Sequence, residues 1–557
     1  MKRFTRLMGL GMVFVLMLAL IGSVAHAQEP VTIVIGWDQE PGQLYPMVNM
    51  VQSGNMEEFY ARDVWDWDQD NNIYPVMVEE IPTIENGDVT TNDAGNTVVT
   101  YKLRHDMVWS DGEPITSADC AFWHEISMDP GKSANYTRGN YPSVVESMEV
   151  VDDYTFTLTY NQPWPDYLND SYARCSYPAH ILQPILERDG NIDGAPQWHG
   201  EGVVGYGPYV LTEWVVGDHV TFDRNPNWDG QSPAIDRVIL KFIPDSAQMQ
   251  SALENGEIDL AFLWDDSLVS SYSALPGVTV WSDPWVINDA VWINVSGKGH
   301  PALSDINVRQ ALFYALDRRA MADGLVGPDT VVPDVWWNAK WVPDDLEVRE
   351  YNVDMANQLL DEAGWTDSDG DGIRDKDGVA LNLRFFTTQR QIRMDYQTLI
   401  QEYLQAVGIG TQLLPVPAGI LFDTWANRGI LSNFDYDLAI FGFTNSPLSP
   451  NTSGLFACDQ IPGPERPDGI NNTGYCDPEF DRVDAESNRT VDPDARLALV
   501  HENIHRIYDA AIYIGLYTRG TNYALNSDRF NVDSFRDMGR LSINYFRHAE
   551  YWQPAGS

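Results

Sequence analysis

Cationic side chains are scarce in this chain: 35 Lys and Arg stand against 81 Asp and Glu, for a formal net charge of -46. Such a polyanion is repelled by nucleic-acid phosphates and by anionic membrane surfaces, which excludes both as partners. The acid excess reads as a solvated surface and leaves the charge of any small ligand open. Cysteine is scarce too, with four in 557 residues. There is no CxxC spacing and no Cys adjoins a His, which argues against a cysteine-based metal centre. A serine nucleophile elbow, a phosphate loop and a dinucleotide fingerprint are absent, as are internal repeats and low-complexity linkers. Beyond residue 27 no apolar run approaches the roughly 20 residues that span a bilayer.

What is present begins with an export signal. Lys2, Arg3 and Arg6 precede an apolar stretch from Leu7 to Ile21, and Ala25-His26-Ala27 supplies the small-x-small pattern of a cleavage site. Removal of residues 1–27 leaves 530 residues starting at Gln28 and moves the charge from -46 to -49. No Cys lies near that site, so a lipid-tethered lipoprotein is not expected, and the mature chain is expected to be soluble, in the periplasm or on the outer face of the membrane. An oxidising destination favours paired cysteines. Three connectivities are open in principle. Cys458 and Cys476 bracket a turn-rich loop with Pro462, Gly463, Pro464, Pro467 and Gly469, which would gain from a staple, and Cys120 with Cys175 follows by elimination.

A chain of 530 residues exceeds one hydrophobic core, so at least two lobes are expected. The first third is strand-rich: Tyr154 to Tyr160 and Thr97 to Leu103 alternate apolar and Thr positions. From about residue 290 helices appear. Val308, Ala311, Leu312, Ala315 and Leu316 share a helical face after Asp305, and Asp354 to Ala363 is a helix stopped by Gly364. A strand at Leu381 to Phe386, a helix at Gln391 to Val407 and a strand at Asp435 to Phe443 then alternate, the pattern of a parallel, doubly wound sheet.

Three segments resemble the bacterial extracellular solute-binding proteins of family 5, which serve dipeptide, oligopeptide and nickel importers. They are YKLRHDMVWSDGEPITSADCAFWHEI (Tyr101 to Ile126), Gly205 to Phe262 with GYGPYVLTEWVVGDHVTFDRNPNW and ALENGEIDLAF, and VWINVSGKGHPALSDINVRQALFYALDRR (Val291 to Arg319). The resemblance implies an α/β, two-lobed periplasmic-binding-protein-like fold of type II, large class, with an extra N-terminal subdomain. It assigns residues 28–61, 201–289 and 520–557 to lobe I, 62–200 to the subdomain and 290–519 to lobe II, with crossings near Asp289 and Arg519. It implies a monomer without enzymatic activity or required cofactor. A peptide or peptide-like solute is captured by hinge closure and passed to the permease of an ABC importer; an oligosaccharide is the alternative ligand.

Oligopeptide binders of this family carry a strand ending in Gly-Trp and then an Asp that pairs with the ligand's ammonium group. The matching stretch here is Phe441-Gly442-Phe443-Thr444-Asn445-Ser446-Pro447, with an aromatic platform at Phe443 and no carboxylate. Asn445 suits a neutral amide or hydroxyl. Trp425 and Arg428, with Trp37 and Gln43 in the loop after the first strand, complete the expected ligand contacts. Two strings point elsewhere. His501-Glu502-Asn503-Ile504-His505 has the HExxH spacing of a zinc metallohydrolase. Asp367, Asp369, Asp371 and Asp375 have the early spacing of a calcium loop around Gly372, but position 12 is Gly378 instead of Glu, so the ligand set for a structural calcium ion is incomplete. The 19 Trp residues are expected mainly in cores.

Overall fold

The computed structural model describes residues 30–44, 51–68, 72–134, 141–168, 174–263, 268–328, 330–467, 469–536 and 546–556. The leader expected over 1–27 lies outside the described residues. No helix among the described residues is long and apolar enough to cross a membrane.

Fourteen strands carry the architecture: β1 (Thr32–Trp37), β2 (Val89–Thr91), β3 (Thr97–Lys102), β4 (Val145–Asp152), β5 (Thr155–Tyr160), β6 (Tyr209–Val215), β7 (His219–Arg224), β8 (Arg237–Phe242), β9 (Leu260–Leu263), β10 (Val278–Ile293), β11 (Asn382–Thr388), β12 (Gly410–Val416), β13 (Leu438–Thr444) and β14 (Tyr513–Asn526). Three helices matter below: α1 (Ser117–Met128), α2 (Gln391–Gln405) and α3 (Pro493–Ala510).

The alternation read in the first third becomes the antiparallel sheet β2-β3-β5-β4. Val99, Tyr101, Phe156 and Leu158 are buried on one face while the Thr positions between them point outward. The α1 helix closes over this sheet. Thr116 caps it and Asp119 returns a bond to the Thr116 amide, a capping box worth about 1 kcal/mol. Cys120 on α1 is bonded to Cys175, and Cys458 to Cys476, so both expected pairings form. One apolar core, drawn from Val64 through Tyr206, holds these elements together.

The other ten strands form one sheet in the order β12-β11-β13-β10-β14-β9-β1-β8-β7-β6. Its two lobes are a consequence of two long strands. β10 has 16 residues and β14 has 14, and they pair antiparallel from Val278 opposite Asn526 to Trp292 opposite Tyr513. The first half of β10 lies beside the part of β14 that carries β9 and then β1, β8, β7 and β6; its second half carries β13, β11 and β12. Register shifts between Pro284 and Asn288 and between Asp289 and Ala290 interrupt the ladder at the crossing, where such irregularities bend a strand. The parallel order expected of the second lobe holds for β11, β12 and β13, while β10 and β14 enter antiparallel, so the whole is mixed.

Each half has its own core. Ile33, Ile35, Val238, Leu240 and Leu260 fill one. Leu383, Phe385, Tyr396, Ile400 and Leu404 fill the other, where the apolar stripe of α2 lies on β11. Helices begin where short polar caps are written: Asp305 before Ile306–Tyr314 and Asn352 before Val353–Glu362.

Candidate functional site

Strand direction locates the site. β9 runs antiparallel to β14 with Leu260 opposite Leu525 and Leu263 opposite Asn522, so its C-terminal end points toward the second lobe. β1 is parallel to β9 and shares that direction. β13 runs antiparallel to β10 with Leu438 opposite Ile293 and Thr444 opposite Ile287, so its C-terminal end, and that of parallel β11, points back toward the first lobe. The C-terminal ends of the two sets of parallel strands therefore face one crevice on either side of the crossing, the place where α/β sheets bind ligands. Of the expected ligand contacts, Gln43 follows the end of β1, and Phe443 and Asn445 lie at the end of β13.

Not every expected contact is free to serve. Trp37 is 0% exposed, packed between Phe262 at 5.5 Å and Phe546 at 5.2 Å, and so belongs to the core of its lobe instead of the crevice wall. Gln43 is half-buried and its carbonyl accepts a 2.5 Å bond from Ser53, which ties the loop to the helix Val51–Tyr60; residues 45–50 lie outside the described residues. Asn445 is 5% exposed, and its carboxamide is spent within its lobe: Nδ2 donates to the Trp336 carbonyl at 3.2 Å and Oδ1 accepts from Asn338 at 3.3 Å. Its role is to position the Trp336–Asn338 segment, which Asn288 also grips through Trp336. Phe443 keeps part of its ring exposed, edge-on to Trp292 and Phe441 at 5.8 and 5.7 Å. Trp425 is half-buried in a turn, and Arg428 beside it is exposed at φ 63, a left-handed conformation unusual for a residue with a side chain.

Three features of the crevice escaped the sequence reading. At the crossing, Asp289 is 0% exposed and accepts from Arg393 on α2 at 2.7 Å and from Arg519 on β14 at 2.6 Å. Burial alone would raise the Asp289 carboxyl, but the two guanidiniums outweigh it and hold the group below the ordinary carboxylate range. Gly520 adjoins this clamp, and a Cβ there would meet the Ser282 hydroxyl, which would have to rotate aside. A cavity of about 150 Å³ opens beside them, lined by Ser282, Thr518 and Asn522 of the crossing and by Val326, Gly327, Thr330 and Val331 of the second lobe. Away from the crossing, Asp166 of the first-third subdomain meets the second lobe, accepting from Arg496 on α3 at 2.7 Å and from Ser449 at 2.9 Å. Leu448 and Val491 pack on the subdomain core around this bridge. Nothing local in the sequence marks these pairs, whose members stand 104 to 330 residues apart.

A family model described as bacterial extracellular solute-binding proteins, family 5, matches residues 72–458. The chain belongs to that family. This solute-binding protein is 25% identical over 460 residues to the oligopeptide-binding protein AppA of Bacillus subtilis, covering 80% of each chain. It is 21% identical over 508 residues to the nickel-binding periplasmic protein of Escherichia coli, covering 89% of this chain and 91% of the other. Among solved structures, the ABC transporter substrate-binding protein CtaP of Listeria monocytogenes has a TM-score of 0.75 at 20% identity, covering 95% of this chain and all of that one. That likeness establishes the two-lobed fold.

Among the described residues the side chains of the HExxH string do not gather into a group of metal-ligand spacing. The string lies on α3, where Val500 and Ile504 face the core while Glu502 binds Arg506 at 2.8 Å and His505 approaches Asp345 at 3.2 Å. Among the described residues one group could gather round a metal, and it is not this one: carboxylate oxygens of Asp367, Asp369 and Asp375 lie within 4.8 Å of one another in an exposed loop. These groups already accept from the loop itself, Asp367 from Gly370 and Gly372 and Asp375 from Ser368, while Asp371 accepts from the Ile373 amide outside the group.

Proposed function

We propose that this solute-binding protein captures a peptide between its lobes by closure about β10 and β14 and delivers it to the permease of an ABC importer outside the cytoplasm. The observation that carries the ligand class is the match to AppA along 80% of the chain, a relative named for oligopeptide binding. Facing strand ends with backbone groups at their C-termini suit an extended peptide, whose amides hydrogen-bond without regard to side chain. Two disulfides and the export leader support an extracytoplasmic site of action, and the leader's lack of a Cys supports a chain free of a lipid tether. The lobes divide near Asp289 and Arg519, the first lobe continuing into residues 520–536 and 546–556. Phe443, Trp425 and Arg428 are assigned to the ligand-facing wall of lobe II. The Asp367, Asp369 and Asp375 loop is assigned a structural role, with calcium binding to be tested by chelation.

The test is mass spectrometry of whatever co-purifies with the mature chain, followed by scattering with and without the released molecule. A peptide that compacts the protein and is recovered intact is expected. Recovery of a sugar or of nickel in its place would overturn the ligand class, and turnover of the bound molecule would overturn a purely binding role.

A further inference from the structure

β6 is antiparallel to β7 and β7 to β8, which is parallel to β1, so β6 and β1 end at the same crevice-facing edge of lobe I. Between the segment after β1 and the β6–β7 turn is a cavity of about 370 Å³, lined by Glu40, Pro41, Gly42, His199, Trp214 and Val216. Its chemistry is specific. The half-buried Glu40 carboxylate is fixed by the Trp214 indole N–H at 2.9 Å and by the Gly217 amide at 3.1 Å to each oxygen. Among the described residues no cationic side chain pairs with it, and while Oε1 accepts from both Trp214 and Gly217, Oε2 accepts from Gly217 alone and retains accepting capacity. The Trp214 ring lies close against Gly200, at φ 90, where a Cβ would come 3.1 Å from the ring. A hydrogen-bonded carboxylate without a counter-cation, next to an indole ring, is an arrangement that holds an ammonium or a guanidinium. In lobe II the polar side chain just after β13 is the neutral, already bonded Asn445.

We propose that Glu40 and Trp214 form a subsite for a cationic group of the captured solute, either a peptide's terminal ammonium or a basic side chain. This inference rests on the peptide reading. The experiment is calorimetric titration of the mature parent and E40Q with four probes: Ala-Lys-Ala-Ala, Ala-norleucine-Ala-Ala, and the N-acetylated form of each. Gln keeps an acceptor for Trp214 and Gly217, so an unchanged melting temperature is expected of E40Q. The parent should bind the cationic probes about tenfold or more tighter than acetyl-Ala-norleucine-Ala-Ala, the worth of one charge-assisted hydrogen bond. E40Q should lose that preference and bind the uncharged probe as the parent does. Tighter binding of the acetylated lysine probe than of the free norleucine probe assigns the cation to a side chain, and the reverse assigns it to the terminus. Equal preference in parent and E40Q, or one loss common to all four probes, overturns the subsite and leaves peptide binding intact. Failure of every probe to bind the parent overturns the peptide reading and the subsite with it.

Discussion

The sharpest test of the crossing is D289N. The change keeps the size of the side chain and removes its charge, taking the Asp289 carboxylate away from Arg393, whose side chain is 7% exposed, and from Arg519. Breaking a buried ion pair from one side costs about 3–5 kcal/mol, because the partner's charge remains desolvated. Against a total stability of roughly 5–15 kcal/mol that is a large fraction, and urea unfolding followed by tryptophan fluorescence reads it as a lower midpoint at unchanged slope. The double variant D289N/R393Q should recover part of the loss, since it removes one orphaned charge. The pH dependence has a definite sign. Burial pushes the Asp289 carboxyl up, but Arg519 and Arg393 outweigh burial and depress it, so its stabilisation is full above the unfolded carboxylate value near 4 and fades as pH falls through the lower folded value. The gap between parent and D289N should therefore be constant from about pH 5 to 8 and shrink in acid. A gap under about 1 kcal/mol at neutral pH, or one that widens on acidification, would refute the clamp.

Four further outcomes follow from named contacts. Replacing Cys458 and Cys476 by Ser should lower stability by about 3 kcal/mol for a loop of 18 residues, and replacing Cys120 and Cys175 by about 4 kcal/mol for one of 55, both by denaturant titration. R496Q removes the Arg496–Asp166 ion pair, leaving only the Ser449 bond to Asp166, and should enlarge the scattering radius of the ligand-bound protein while weakening solute affinity about tenfold. Excess EDTA should leave the melting temperature within about 1 °C, because the Asp367 and Asp375 carboxylates are already engaged by the loop's own donors; a larger drop, reversed by calcium, would assign a metal to the loop. Gly520→Ala should lower the melting temperature only modestly, because the Ser282 hydroxyl can rotate aside, whereas Gly87→Ala, with open space around it but φ 82, should cost more through its left-handed backbone.

What the residues settled on their own is local. Alternating Thr and apolar positions at Thr155 to Tyr160 can hide one face only as a strand, the stripe Leu399, Ile400, Tyr403, Leu404 has helical spacing, and Thr116, Asp305 and Asn352 cap helices wherever they precede an apolar run. The cysteine pairing too was legible, because a loop of prolines and glycines between Cys458 and Cys476 brings its ends together cheaply. The ligand set fared unevenly for a physical reason: a sequence shows which side chains are present but not which partners saturate them. Trp37 and Asn445 were plausible contacts until packing buried the ring against Phe262 and gave the carboxamide to Trp336 and Asn338. Only the tertiary structure decided the crevice itself. The lengths of β10 and β14, the Asp289 clamp, the Asp166–Arg496 bridge and the Glu40 carboxylate beside Trp214 all join residues far apart in the chain. Their energies depend on burial and on a counter-charge, neither of which exists until the lobes are assembled.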